Sequence, residues 1–336
     1  MYESFYGFRE RPFDLSPNPD YLVLTDAHRE ALSNLEYAIA SRKGVSLLLG
    51  EAGTGKTTII RAALQRQSER VHCVHLQNPA LSRAEFVEML ATQFRLSSRA
   101  AQSKTALLLE LEALVVGRNA AGESSVLIVD EAQSLSLELL EEIRLLANIE
   151  TNHQKLLSVI LAGQPELALR LNEQSLRQLK QRVALRCELK ALTLQEGCAY
   201  IAGRIRAAGG VGAQTFTREA VMLMHERAHG IPRTLNVIAD NALLTGFAME
   251  QRPVNTAVVL EVCRDLDLAG RAEPARPASA PPSPSAPAVD NAAAPSSGSN
   301  RLIAFDSGGS ASEAPDNSEA ALSGNAGAKR RRFSFF

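Results

Sequence analysis

Gly50-Glu51-Ala52-Gly53-Thr54-Gly55-Lys56-Thr57-Thr58 follows the apolar run Val45–Leu49 and leads into a helical pattern from Thr57 to Gln67. The segment fits G-x-x-x-x-G-K-S/T in full, and a strand before it with a helix after it is the setting a phosphate-binding loop requires. Each residue type has a physical reason. The glycines let the backbone curl until its N–H groups face phosphate oxygens, and the helix N-terminus adds the positive end of its dipole. Lys56 is expected to reach the β- and γ-phosphates, and the Thr57 hydroxyl to ligate Mg2+. A chance glycine turn would not bring both flanking elements with it. The whole run Gly50 to Thr58 is therefore the expected nucleotide-binding segment, with ATP and Mg2+ as its ligands.

About 75 residues downstream, Val126-Leu-Ile-Val-Asp130-Glu131 ends an apolar run on two acids. In a parallel sheet this delivers both carboxylates to the carboxyl edge, beside the loop. Asp130 is expected to hold Mg2+ through water. Glu131 is expected to orient and polarise the attacking water, because phosphoryl transfer depends on placement more than on strong bases. Taken alone, an acidic pair after an apolar run is common, since helices often open with acids. Its meaning comes from the complete loop upstream.

The surrounding pattern is α/β. Apolar runs at Val45–Leu49, Val71–Leu76, Val126–Val129, Leu157–Leu161 and Val183–Leu189 alternate with amphipathic stretches, as in βαβ units. The first four are nearly continuous, as expected of strands covered on both faces. The fifth alternates, with Val183, Leu185, Cys187 and Leu189 on one side, and so reads as an edge strand. Ala27, Ala31, Leu35 and Ala38 mark a helix before the first strand, and Leu139, Leu140, Ile143 and Leu146 another after the third.

Beyond Leu192 the strand signal stops. Thr193 and Glu196 form a T-x-x-E capping box, and helical stretches follow at Arg218–Ala228, Arg233–Met249 and Thr256–Leu266. After Leu268 the chain turns to Pro, Ala, Ser and Gly, a composition that cannot bury enough apolar surface to offset chain entropy. The expected organisation is an α/β domain over 1–192, a small all-helical lid over 193–268, and a disordered tail over 269–336. The last eight residues, Lys329 to Phe336, are basic and aromatic. They read either as a short partner-docking peptide or as an unselected end of the tail.

Composition narrows the class further. With 36 basic and 37 acidic residues the formal net charge is −1, so nothing in the bulk balance draws the chain to nucleic acid or an acidic membrane. Cys73, Cys187, Cys198 and Cys263 form no CxxC pair and read as reduced thiols. No metal cluster is expected around His72 and His75. Neither a signal peptide nor an apolar run of about 18 residues is present, so a cytoplasmic protein is expected.

Several segments resemble the ExeA/GspA-type AAA+ ATPases, which include the MshM-like ATPases of pilus biogenesis. They are the opening Tyr2-Glu-Ser-Phe-Tyr-Gly-Phe-Arg-Glu-Arg-Pro-Phe13 with Ser16-Pro-Asn-Pro-Asp-Tyr21, the stretch Thr25–Leu35, Asp130-Glu-Ala-Gln-Ser-Leu, and Ala162-Gly-Gln-Pro-Glu-Leu167. The resemblance covers about Met1 to Leu268 and implies a five-stranded parallel AAA+ core with a helical lid. It implies that Gln164 is a polar sensor that helps position the lytic water. It also implies that Arg233, in Gly230-Ile-Pro-Arg233, is a second sensor on the γ-phosphate. An arginine at a helix start is unfavourable for the dipole, so an anion beside it would suit it. Arg182 is the leading candidate for an arginine that completes a neighbouring subunit's site, with Arg177 and Arg186 as rivals. Tyr21 and Leu22 are either walls of the adenine pocket or ordinary packing residues. Longer ExeA-type proteins continue into a membrane helix and a periplasmic domain that these 336 residues do not contain, which points to the shorter, MshM-like role.

The expected function is a Mg-dependent, ATP-hydrolysing homo-oligomer, ring or filament, that drives or regulates assembly of a secretion, pilus or exopolysaccharide apparatus. Two other readings are open. One is a DNA-binding transposition regulator of the TniB/MuB kind, which shares this core and would show salt-dependent DNA affinity. The other is a nucleotide-gated scaffold or adaptor with little turnover.

Overall fold

The computed structural model describes residues 1–14, 24–77 and 81–268. Tyr21, Leu22, the tail over 269–336 and its Lys329–Phe336 tip lie outside the described residues.

Five strands form one parallel sheet: β1 (Val45–Gly50), β2 (Val71–Leu76), β3 (Ser124–Val129), β4 (Leu157–Gly163) and β5 (Val183–Leu189). Their order is β2-β3-β4-β1-β5. All five expected strands are present, and β5 is an edge strand, as its alternation implied. β1 and β4 are buried along their whole length. Alternate residues serve opposite faces. Leu47, Leu49, Leu127, Val129, Val159 and Leu161 enter the core beneath the helices of residues 83–146. Leu48, Val126, Ile128, Ile160 and Ala162 enter the other core, against the helices Asp26–Ala40 and Lys56–Gln65. With both faces covered, an unpartnered polar side chain in a central strand is costly, which explains the nearly continuous apolar runs; Ser46 of β1, buried with its hydroxyl unpartnered, is an exception.

The strand order positions the site. β4 lies between β1 and β3, so the turns after β1, β3 and β4 open side by side at the carboxyl edge. The phosphate loop, Asp130-Glu131 and Gln164 are thereby gathered at one place. The sequence reading left residues 83–120 without elements. They hold the helices Arg83–Gln93, Ser98–Gln102 and Lys104–Ala120, the first opened by a capping box of Ser82 and Glu85. Glu142, buried between these helices and its own, Leu137–Leu146, accepts from Arg83 and Lys104 at 2.6 and 2.9 Å.

Helices Leu194–Ala207, Arg218–Arg227, Pro232–Ala248 and Thr256–Asp265 enclose a third apolar core. The expected capping box of Thr193 and Glu196 opens the first of them. The chain's opening segment also belongs to this core, although it precedes the α/β part in sequence. Tyr2, Tyr6, Phe8 and Phe13 are buried among the C-terminal helices. Buried Arg204 donates to the Pro12 carbonyl at 2.6 Å and to the Asp14 carbonyl at 3.2 Å, and the Tyr2 hydroxyl bonds the Asp240 carboxylate. Burial of each aromatic contributes about 2–3 kcal/mol, so the segment is fastened by packing as well as by these bonds.

Candidate nucleotide site

The loop between β1 and the helix Lys56–Gln65 is wound by Gly53 and Gly55, with φ of +82° and +100°. At Gly53 a side chain is also excluded by contact, since a Cβ would lie 2.6 Å from the Arg233 Cβ. The lid-side helix Pro232–Ala248 therefore presses directly on the loop, and the Arg233 N–H donates to the Gly53 carbonyl at 3.2 Å.

Lys56 is buried with its ammonium folded onto the loop, donating to the carbonyls of Gly50 and Glu51 at 2.8 and 3.1 Å. Burial pushes its pKa below the ordinary lysine value, while the carboxylates of Glu131, Asp130, Glu51 and Glu166 oppose that shift. Thr54 is buried and closes the turn, donating from its hydroxyl to the Glu51 carbonyl at 2.8 Å. Glu51, Ala52 and Thr58 complete the run, Thr58 within the helix. The Thr57 hydroxyl donates to Asp130 Oδ2 at 2.6 Å, and the Glu131 N–H donates to Asp130 Oδ1 at 3.0 Å.

Thr57 and buried Asp130 thus offer two hard oxygen donors at one point. Among the described residues no group of three or more His, Cys, Asp or Glu could cage a metal ion. The two oxygens of Thr57 and Asp130 fit Mg2+, which is held by one or two protein oxygens together with phosphates and water.

Gln164 follows β4 directly and precedes Pro165, the first residue of the helix Pro165–Arg170. Its main-chain N–H donates to the Gln133 Oε1 at 3.0 Å, and Gln133 Nε2 donates to Glu131 Oε2 at 2.6 Å. Arg182 lies elsewhere. It precedes β5 at the amino edge of the sheet, its carbonyl accepts from the Val45 N–H, and its Nε donates to Asn148 Oδ1 at 2.5 Å. Arg186 lies 3.8 Å from the Glu188 carboxylate on β5, and Arg177 opens the short helix Arg177–Lys180.

Two residues that lie in the segments quoted for the resemblance, but were given no role there, are built into the site. One is Gln133. The other is His28, buried near the start of the helix Asp26–Ala40. Its Nε2 lies 3.2 Å from the Thr54 carbonyl and its Nδ1 2.7 Å from the Thr25 hydroxyl. The carbonyl can only accept, so Nε2 carries the hydrogen and Nδ1 accepts from Thr25. The neutral ring satisfies both partners. The segment Thr25–Leu35 stood out in sequence, but the contact itself did not, because it spans 26 positions.

Burial holds the His28 pKa below the usual value, against the opposing pull of the Thr54 carbonyl and Glu196. Between that lowered value and about 6.5, the unfolded chain binds more protons than the folded one. Stability contributed by neutral His28 is therefore present above about pH 6.5 and lost as pH falls below it. His28→Gln keeps a donor for Thr54 but does not titrate. The fall in Tm between about pH 7.5 and about pH 5 should be smaller in the variant, which thermal unfolding at both values measures. His75, also lowered by burial, contributes equally to both proteins and cancels.

An AAA domain family model matches residues 39–171. Fold, loop and family model agree on an AAA-type P-loop NTPase fold. Three solved structures share the fold. Aeropyrum pernix ORC2, in ADPNP and ADP complexes, is 19% identical with a TM-score of 0.57, over 76% of this chain and 71% of that one. Cdc6p of Pyrobaculum aerophilum is 14% identical with a TM-score of 0.55, over 78% and 70%. A Walker-type ATPase of Pyrococcus abyssi is 20% identical with a TM-score of 0.52, over 76% and 77%. At these identities the likeness concerns the fold alone.

Within the class, the chain is homologous to General secretion pathway protein A of Aeromonas hydrophila, with 40% identity over 248 residues. The resemblance to the ExeA/GspA type is therefore borne out. The match takes in 74% of this chain and 45% of the relative, so the chain spans less than half of that protein's length. Among the described residues no helix is long and apolar enough to cross a membrane.

Proposed function

We propose that this protein binds ATP with Mg2+, hydrolyses it as a homo-oligomer, and uses the cycle to drive or regulate assembly of a secretion, pilus or exopolysaccharide apparatus from the cytoplasmic side. The observation that carries the hydrolytic reading is the Thr57–Asp130 bond of 2.6 Å beside buried Lys56, with Glu131 next in the chain. The secretion role rests on the homology to General secretion pathway protein A.

Loop N–H groups and Lys56 would take the phosphates, with Lys56 exchanging its two carbonyl partners for phosphate oxygens. Thr57 would hold Mg2+ directly and Asp130 through water; bound there, the ion neutralises charge on the β- and γ-oxygens. Glu131 would orient the water in line with the γ-phosphate. Arg233, whose backbone already touches the loop, is placed to carry lid position to the γ-phosphate. Gln164 acts from the tip of β4.

Arg182 lies at the edge of the sheet opposite its own loop, where it donates to Asn148 and to the Gln178 carbonyl, so any role at a nucleotide would be at a neighbouring copy's. Turnover per subunit should then rise steeply with protein concentration, and Arg182→Ala should lower it by about 10³-fold or more, as loss of an arginine finger does. Steady-state ATPase rates across a concentration series, with and without double-stranded DNA, test this. Concentration-dependent turnover that ignores DNA and collapses in the variant supports the remodelling ATPase. Strong stimulation by DNA would put the transposition-type reading in its place.

A further inference from the structure

Gln133 lies two residues past Glu131 in the short turn Ala132–Ser134. Its side chain links Glu131 to Gln164, the latter 31 residues from Gln133 in sequence. The Gln164 N–H can only donate, so it must face Oε1 of Gln133, and the Nε2 group is turned to the Glu131 carboxylate. The amide orientation is thus dictated by its two partners, at 3.0 and 2.6 Å.

The turn carrying it is braced as well. Arg170 Nη1 donates to the carbonyls of Gln133 and Leu135 at 2.6 and 2.7 Å, fixing the turn to the helix Pro165–Arg170. Gly163 leaves room for the amide, since a Cβ there would stand 2.9 Å from Gln133 Oε1. Glu131 itself has φ of +52°, in the left-handed region, a conformation that surrounding contacts must hold.

We propose that Gln133 is a positioning residue for hydrolysis, holding the Glu131 carboxylate in one orientation and tying it to the tip of β4. The proposal rests on the reading of Glu131 as the group that orients water. With Oε2 accepting from Gln133, the carboxylate plane is fixed while lone pairs remain on its oxygens to accept from water. A shift of the β4 tip at Gln164 moves the carboxylate with it. The amide does both tasks, since it accepts on one side and donates on the other.

Two substitutions separate positioning from bracing. Gln133→Glu still accepts from the Gln164 N–H but sets a second carboxylate against Glu131. Gln133→Leu keeps the bulk and loses both bonds. Steady-state kcat and KM, with ATP affinity by equilibrium titration, are measured for both variants, for Glu131→Gln and for the double variant Glu131→Gln/Gln133→Leu.

Both single variants at Gln133 are expected to lose about 10- to 100-fold in kcat, with ATP affinity unchanged within about twofold. The double variant is expected to be no slower than Glu131→Gln, because the two residues act as one unit. Native kcat in Gln133→Glu would overturn the proposal, since the bond to Gln164 would then suffice. A loss that multiplies with Glu131→Gln would also overturn it, because it would arise outside that carboxylate, as a folding defect does. Turnover indifferent to Glu131→Gln removes the hydrolytic role of Glu131 and this proposal with it. Turnover that needs Glu131 but tolerates both changes at Gln133 removes this proposal alone.

Discussion

Glu131→Gln is expected to bind ATP as tightly as the native chain and to hydrolyse it about 10²- to 10⁴-fold more slowly. The side chain leaves the chain directly after Asp130, and its carboxylate is held by Gln133 at 2.6 Å. An amide of the same shape fills the same space and can still accept from Gln133, but it no longer polarises a water. Binding should be little affected because, on this reading, loop N–H groups and Lys56 take the phosphates, and no hydrogen bond joins Lys56 to Glu131. Removing one negative charge beside the triphosphate can only favour binding. The ATP-bound state then outlives its usual span, and an assembly that depends on it should persist. Single-turnover hydrolysis beside equilibrium nucleotide titration separates the two effects. Native turnover in the variant would refute the role assigned to Glu131.

Lys56→Ala acts on the other half of the process. The residue is 4% exposed, and its ammonium is shared between the Gly50 and Glu51 carbonyls within the field of the Asp130 and Glu131 carboxylates. Without it, the two carboxylates repel the incoming triphosphate unopposed. A hydrogen bond to a charged group is worth about 1.5–3 kcal/mol, and about 1.4 kcal/mol is tenfold in affinity. Two such bonds, to the β- and γ-phosphates, make a loss of about 10²-fold or more. Calorimetric titration with ATP measures it. An alanine variant that binds at native affinity would show that the loop does not work as a phosphate cradle.

The parts of the site that were legible are contiguous in sequence. Gly50 to Thr58 carries its own conformational demands in its glycines and its own context in the flanking strand and helix. Asp130-Glu131 sits at the end of an apolar run whose length already implied a buried strand. The helices Arg83–Gln93 and Lys104–Ala120 escaped the reading although Ser82 and Glu85 form the same capping box recognised at Thr193 and Glu196. Their buried residues do fall on one face, Phe86, Val87, Leu90 and Ala91 in the first and Leu107, Leu111 and Val115 in the second, but in the second the stripe is blurred by the exposed apolar residues Leu109 and Val116.

The sequence by itself determined the chemistry of the loop, the acidic pair and the α/β alternation, because each is a local matter of residue type and spacing. Only the tertiary structure decided the rest. It inserted β4 between β1 and β3, which brings Gln164 to the loop. It set His28 under Thr54, joined Gln133 to both Glu131 and Gln164, and seated Arg233 on Gly53. It also carried the aromatics of the first 14 residues into a core built from the last helices. The physical reason is the same in each case. Hydrogen bonds and apolar contacts act over a few ångströms and take no account of sequence separation, so partners 26, 31 or nearly 240 positions apart leave no periodic trace.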